Sequence, residues 1–329
     1  MNHPNPTPPN SPTRILVLGG SGFVGRSVCE KLVERSNGAG GRILVPSRRP
    51  QRAQHLRTLP TVELVAADVN DAVTLERLVS GCDAVINLVA ILHGSQAEFE
   101  RAHVALPHKL VAVCKARGVR RVVHVSALGV SANAPSRYLR SKAAGEAVLA
   151  ASGLDVTVLR PSVIFGENDK FINLFAGMQT LVPIVPLAGA TAKFQPVWVD
   201  DVAAAIVAAL DRPDSIGQTI ECGGPTVYTL ADLVRFAGRA SGHPRPVIGL
   251  PDAIARLQAG LMEMLPGTPL MSRDNVDSMQ VPNVLGGTLP GLRTLGIEPC
   301  SLEAVMTPVL QGRAGCARLD VLRARAHGD

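Results

Sequence analysis

Tyr138 and Lys142 stand four residues apart in the run Ser136-Arg137-Tyr138-Leu139-Arg140-Ser141-Lys142. A helix over this run places both side chains on one face. An ammonium beside a phenol favours the phenolate, so the pair suits proton transfer. Ser126 lies upstream, near the end of a β-branched run, where a hydroxyl can hold a substrate oxygen. The same spacing also occurs in ordinary surface pairs. A strand-end serine ahead of the helix, and a glycine-rich segment near the start of the chain, argue for a site.

That segment reads Gly19-Gly20-Ser21-Gly22-Phe23-Val24-Gly25 and follows Arg14-Ile15-Leu16-Val17-Leu18. It has the pattern strand, tight turn, helix. The first glycine permits the turn, the second lets a pyrophosphate approach the backbone, and the third packs helix against strand. Free N–H groups at the helix start then face the ligand's negative charge. The amphipathic continuation through Val24, Val28, Leu32 and Val33 supplies the context that a glycine triplet alone lacks. The ligand expected is a dinucleotide.

The second apolar run ends in Pro46-Ser47-Arg48-Arg49. An acid at this place bonds a ribose 2′-hydroxyl, whereas arginine accommodates a 2′-phosphate. With two guanidiniums and no acid, the segment favours NADP(H), with NAD(H) possible. The alternative is a solvated loop. Asp68-Val69 follows the third run, where Asp68 either bonds the adenine edge or closes a strand-end turn.

The elements that must hold these residues alternate. Short apolar runs at 43–45, 62–66, 84–89, 121–126 and 156–159 read as buried parallel strands. Helical stretches at 72–79, 98–117 and 138–151 lie between them. This βαβ rhythm predicts an α/β fold, a doubly wound parallel Rossmann sheet over 14–225. From 167 to 194 the rhythm gives way to a loop-rich insertion. The chain returns through a strand at 195–199, a helix at 200–210 and a strand at 218–222. A smaller α-rich C-terminal lobe spans 226–312, with helices near 229–240 and 251–265 and a Pro/Gly-rich path to 302–310. In the second of those helices Ile254, Leu257, Leu261, Met264 and Leu265 form a broad apolar face, read as core packing over a membrane- or partner-facing patch. Residues 1–13 read as a disordered leader and 313–329 as a basic tail.

Composition narrows the function. Apolar residues make up 46% of the chain, enough for a large core. The net charge of +6 is scattered, and aromatics are only 3%, which argues against a nucleic-acid platform. Cys29, Cys82, Cys114, Cys222, Cys300 and Cys316 show no metal-ligand spacing. They read as buried, reduced thiols, which points to a reducing, cytoplasmic setting. No segment is apolar enough to span a membrane. His93 and His108 lack ligand spacing, no metal site is expected, and Asp200 and Asp201 read as caps of the helix that starts there.

Taken together, the motifs resemble an extended short-chain dehydrogenase/reductase. The matches are Gly19-x-x-Gly22-Phe23-x-Gly25, the Ser126/Tyr138/Lys142 set, Arg160-Pro161 leading to Phe165-Gly166, and Pro196-Val197-Trp198-Val199-Asp200-Asp201-Val202. A narrower likeness lies in 136–146, 161–169 and 269–276, which resemble the atypical members related to the alpha-subcomplex subunit 9 of respiratory complex I. The resemblance implies catalytic roles for Ser126, Tyr138 and Lys142. It implies cofactor contacts from Gly19, Gly22, Phe23, Val24, Gly25, Arg48, Arg49, Asp68, Val69, Leu88, Ala90, Tyr138, Lys142 and Pro161. It also implies NADPH binding and a quinone-linked or membrane-peripheral role, with a respiratory complex among the candidate partners. Where extended members often carry Asn, this chain has His103, read as a structural helix residue. The functions expected are an NADPH-dependent oxidoreductase, a nucleotide-bound accessory protein, or a sugar-nucleotide epimerase or dehydratase. The last would need 167–194 to bind a diphosphate with only Lys170 and Lys193 as cations.

Overall fold

The computed structural model describes residues 12–37, 41–263 and 271–312. The expected leader, apart from residues 12 and 13, and the basic tail with Cys316 lie outside these residues. The described residues form two compact units: the first runs up to 161 and takes in 199–222 and 286–298, the second takes in those of 162–198 and 223–285 and those from 299 on.

The first unit is built on seven strands: β1 (Arg14–Leu18), β2 (Arg42–Ser47), β3 (Val62–Ala66), β4 (Ala84–Asn87), β5 (Arg121–Val125), β6 (Asp155–Pro161) and, much later, β11 (Thr219–Cys222). Their order is β11-β6-β5-β4-β1-β2-β3, and every pairing is parallel. Parallel strands joined by helices are covered on both faces, which is why most of them read as continuous apolar runs. The helices are α1 (Phe23–Arg35), α2 (Ala72–Val79), α3 (Gln96–Glu100), α4 (Leu106–Arg117), α5 (Arg137–Ala150) and α7 (Val199–Asp211). One core joins Leu16, Leu18 and Val85 of the sheet to Leu75, Leu78, Leu110 and Leu149 of the helices. Because β1 lies between β2 and β4, the direction of winding reverses there. The carboxyl ends of β1 and β4 therefore flank the crevice in which doubly wound sheets take ligands.

Helix 98–117 was expected to be continuous. It is, but Arg101–Ala105 form a π turn between α3 and α4. Such turns widen a helix by one residue per bond and recur at functional positions.

The second unit holds three two-stranded pairs: β7 (Ile164–Phe165) with β10 (Val197–Trp198), β8 (Val185–Leu187) with β13 (Val247–Gly249), and β9 (Lys193–Phe194) with β12 (Tyr228–Thr229). Its helices are α6 (Ile172–Leu181), α8 (Leu230–Ala240), α9 (Asp252–Glu263), α10 (Arg273–Ser278) and α11 (Leu302–Gln311). They share a core of Phe165, Phe175, Leu233, Phe236 and Met306.

Two expectations change here. The segment 167–194 is not simply loop-rich, because α6 crosses it. The buried Asp169 carboxylate accepts from the N–H groups of Phe171 and Ile172 at 2.7 and 2.6 Å and starts that helix. The apolar face of α9 is not core at its start, since Ile254 is 51% and Leu257 65% exposed. Ala259 is the buried residue of this helix among those described. The side chain of Leu261, and all of Met264 and Leu265, lie outside the described residues.

Candidate active site

The phosphate loop comes first along the chain. β1 is buried from Ile15 to Leu18 and ends at Gly19, whose φ of +82° lies in the left-handed region. Gly22 N–H closes the turn on Gly19 O at 3.0 Å. Gly22 is the N-cap of α1, makes no side-chain cap bond, and no acid occupies the first turn. The helix start thus keeps donors and positive dipole for an external anion. A Cβ at Gly25 would overlap Gly20 Cα and Gly19 O, so only glycine lets α1 sit this close to the loop. Gly20 is similarly confined, with an added Cβ 2.9 Å from Val45 Cγ1. Phe23 and Val24 are half-buried at the rim. A pyrophosphate fits this cradle.

Leu88, just past β4, donates its N–H to Leu18 O at 2.9 Å, which brings the 88–91 loop beside the glycines. Ala90 on that loop is exposed. Pro161 is buried at the end of β6, where its carbonyl accepts from Leu128 N–H at 2.9 Å.

At the end of β2 the Arg48 and Arg49 side chains are exposed, with no hydrogen bond or ion pair among the described residues. Asp68 closes a turn: its Oδ1 accepts from Asn70 N–H at 3.0 Å and Asn70 Nδ2 at 2.8 Å. The Asn70 N–H bond holds the carboxyl below its usual range, and the charges of Arg48 and Arg101 add to this. Val69 packs against the core. Arg101, contributed by the π turn, is a cation on this side that no sequence motif signalled.

Tyr138 and Lys142, the pair expected to transfer a proton, sit on α5, which starts where Ser136 Oγ accepts from Leu139 N–H at 3.1 Å. Lys142 is only 2% exposed, and its Nζ donates to Val125 O at 2.6 Å. The next residue is Ser126, 4% exposed, with its N–H on Leu159 O and its Oγ without a partner. A buried hydroxyl left unpaired costs about 1–3 kcal/mol. The Ser126 hydroxyl thus has its full bonding capacity left over within the fold.

Burial lowers Lys142 to about 8, while Glu146 opposes the shift. Burial also pushes the Tyr138 phenol up to about 12. The sequence led us to expect a phenol lowered by its lysine. The structure differs because desolvation dominates at Tyr138 and the ammonium is directed at a backbone carbonyl.

His103 lies edge-on to Tyr138, with centroids 5.6 Å apart at 80°. Its Nε2 faces Ile91 N–H at 3.0 Å and its Nδ1 faces Ser141 Oγ at 2.8 Å. A backbone N–H can only donate, so Nε2 accepts and Nδ1 carries the proton. Ser141 passes the chain of bonds to Tyr138 O at 2.8 Å. Burial, with Lys142 adding, lowers His103 to about 3, so the ring is neutral. The structural role read for His103 is what these contacts describe.

A second histidine, His124, was not signalled by any motif. Val89 N–H marks Asn87 Oδ1 as an acceptor, so Asn87 Nδ2 donates to His124 Nδ1 at 3.2 Å. Burial holds His124 well below the ordinary histidine range. These partners lie 12 to 38 residues apart, beyond any local spacing rule.

The remaining expectations are simpler. Asp200 and Asp201 fall in the first turn of α7. Cys29, Cys82, Cys114 and Cys222 are buried free thiols, raised by burial, and Cys300 is partly exposed. Among the described residues no group of His, Cys, Asp or Glu could hold a metal ion, and no helix is long and apolar enough to cross a membrane.

Comparison with known proteins agrees with this geometry. The family model for the NAD dependent epimerase/dehydratase family matches residues 15–223. The mitochondrial NADH dehydrogenase (ubiquinone) 1 alpha subcomplex subunit 9 of Mus musculus is 32% identical, over 90% of this chain and 79% of that protein. A ceramide reductase of Caulobacter vibrioides is 28% identical over 72% of this chain and 74% of its own length. Among solved structures, a dTDP-glucose 4,6-dehydratase double mutant from Streptomyces venezuelae, with NAD bound, superposes with a TM-score of 0.71. It is 23% identical and covers 92% of this chain and 97% of its own, a likeness of fold.

Proposed function

The chain belongs to the NAD dependent epimerase/dehydratase family and is a relative of complex I alpha-subcomplex subunit 9, and we propose that it is an NADPH-binding oxidoreductase that reduces a carbonyl or quinone. The observation that carries this reading is the buried, unpartnered Ser126 Oγ beside the residue that receives Lys142. The family's dinucleotide fits the Gly19–Gly25 cradle, and Arg48 and Arg49 would meet a 2′-phosphate. Asp68 and Val69 would face the adenine side. Lys142 would bond the ribose at the nicotinamide end. When bound, NADPH supplies the hydride.

The protein's own part is acid–base and positional. Ser126 Oγ donates to the substrate oxygen and fixes it. A phenol near 12 keeps its proton at neutral pH, so Tyr138 is set to give a proton to that oxygen as the carbonyl carbon is reduced. His103 stays neutral and holds the Tyr138 turn rather than relaying protons. The reading includes a setting at the periphery of a membrane. It is supported by relatives named for ubiquinone reduction and by Ile254 and Leu257 exposed on α9.

A second reading, a nucleotide-holding accessory subunit, is favoured by the same kinship with a respiratory complex. Turnover separates the two. The wild type with NADPH should reduce a member of a panel of quinones and ketones, and Tyr138→Phe should fall at least a hundredfold. Equal rates for both proteins would remove Tyr138 from the chemistry. No turnover by the wild type, with NADPH tightly bound, would favour the accessory reading. An epimerase would instead interconvert sugar nucleotides with retained NAD.

A further inference from the structure

α5 carries a third ionisable residue in the row of Tyr138 and Lys142. Glu146 stands one turn beyond the lysine and is 8% exposed. Its carboxylate is gripped from β6 by Arg160, whose Nε reaches Oε2 at 3.1 Å while Nη2 pairs with Oε1. Tyr138, Lys142 and Glu146 thus continue into a buried ion pair that the catalytic reading does not use.

The other groups around the ammonium supply no negative charge. His103 from the π turn and His124 from β5 are neutral. Helices α3 and α4 also pack on α5, but Glu98, Glu100, Lys115 and Arg117 on them are exposed. Tyr138 keeps its proton. A buried ammonium with one carbonyl partner is strongly disfavoured in its charged form unless an anion compensates. Glu146, one turn along the same face of α5, is the carboxylate whose charge acts on Lys142, and Arg160 draws on the same two oxygens.

We propose that Glu146 is the counter-ion that keeps Lys142 charged in its buried site, and that Arg160, by competing for that carboxylate, limits the support. Both are positioning residues that act through Lys142. The inference deepens the reading of Lys142 as the ammonium at the cofactor's ribose, and its test is made on the lysine itself.

The chain has six lysines (Lys31, Lys109, Lys115, Lys142, Lys170 and Lys193), so side-chain NMR of the full-length, lysine-labelled protein resolves each titration. Lys142→Met identifies the signal. Glu146→Gln should weaken proton binding at Lys142 at least tenfold, and Arg160→Gln should strengthen it. Glu146→Asp, which keeps the charge, should stay within about threefold of wild type. A Lys142 midpoint unmoved in folded Glu146→Gln overturns the proposal, as does a shift of the same sign in Arg160→Gln. If Glu146→Gln does not fold, Arg160→Gln is read beside Arg160→Lys, which keeps the cation and loosens its two-point grip: competition predicts that both strengthen proton binding at Lys142, whereas a shift in Arg160→Gln alone reports lost repulsion and overturns the proposal. Titrations that shift as stated, in a protein without turnover, would uphold this coupling while sinking the oxidoreductase reading. Turnover with an unmoved lysine would do the reverse.

Discussion

The imidazole of His103 and the hydroxyl of Ser141 meet at 2.8 Å, tying the π turn to the helix that carries Tyr138. The other ring nitrogen holds Ile91 N–H, so one neutral side chain joins the loop after β4 to the start of α5. His103→Ala would leave the part-buried Ile91 N–H unpaired and take one of two bonds from Ser141 Oγ, which keeps Tyr138 O, at a cost of about 1–3 kcal/mol. Denaturant unfolding at pH 7 checks this, and a loss below about 1 kcal/mol would show that the strut matters little.

The same ring makes stability depend on pH in a defined direction. Its pKa is about 3 in the folded chain and near 6.5 when unfolded, so between those values the unfolded state binds the extra proton. The stabilisation is fully present above about pH 6.5 and is lost as pH falls toward 3. From pH 7 to pH 5 the loss should be about 2 kcal/mol for this ring, with His124 adding in the same sense. A His103→Gln variant should show a shallower acid limb. An identical slope in both proteins would contradict the assignment.

Ser126→Ala should separate stability from function. Removing a hydroxyl that has no partner in the fold relieves its desolvation cost and leaves no other group unsatisfied, so stability should hold or rise, by up to about 1–3 kcal/mol. Turnover should nonetheless fall at least tenfold. A marked loss of stability would mean that the hydroxyl already has a structural partner.

Gly25→Ala should abolish tight dinucleotide binding, because its methyl group meets backbone atoms of the Gly19 turn rather than a yielding side chain. Overpacking of this kind costs about 1–3 kcal/mol in stability. Isothermal titration with NADPH is the check, and near-wild-type affinity would show that the loop opens without penalty.

Much of this was legible in the sequence, and the omissions have physical reasons. The runs Ile15–Leu18 and Val122–Val123 are short, apolar and buried on both faces, as strands of a covered parallel sheet are. The Tyr138/Lys142 pair is local to one helix, so spacing revealed it. His103–Ser141, Asn87–His124 and Glu146–Arg160 join residues that only the sheet order brings together. The apolar face of α9 illustrates another limit. Periodicity shows that Ile254 and Leu257 share a side of a helix, but not whether anything covers it. The pKa of Tyr138 escapes the sequence for a related reason, since spacing reports a neighbouring charge and says nothing of desolvation.

The choice of cofactor rests on two exposed guanidiniums. Arg48→Ala/Arg49→Ala should weaken NADPH binding about ten- to a hundredfold, the loss of one or two charge-assisted bonds, and leave NADH binding within about twofold. Equal weakening of both dinucleotides would place the arginines elsewhere than at a 2′-phosphate.

The most direct test of the whole account is to purify the protein gently, denature it, and identify the dinucleotide it releases. NADP(H) that exchanges with added cofactor is the predicted result, and it would join the Gly19–Gly25 cradle to the arginines at the end of β2. Tightly held, non-exchanging NAD⁺ would contradict the account and point to internal redox chemistry of the epimerase or dehydratase kind.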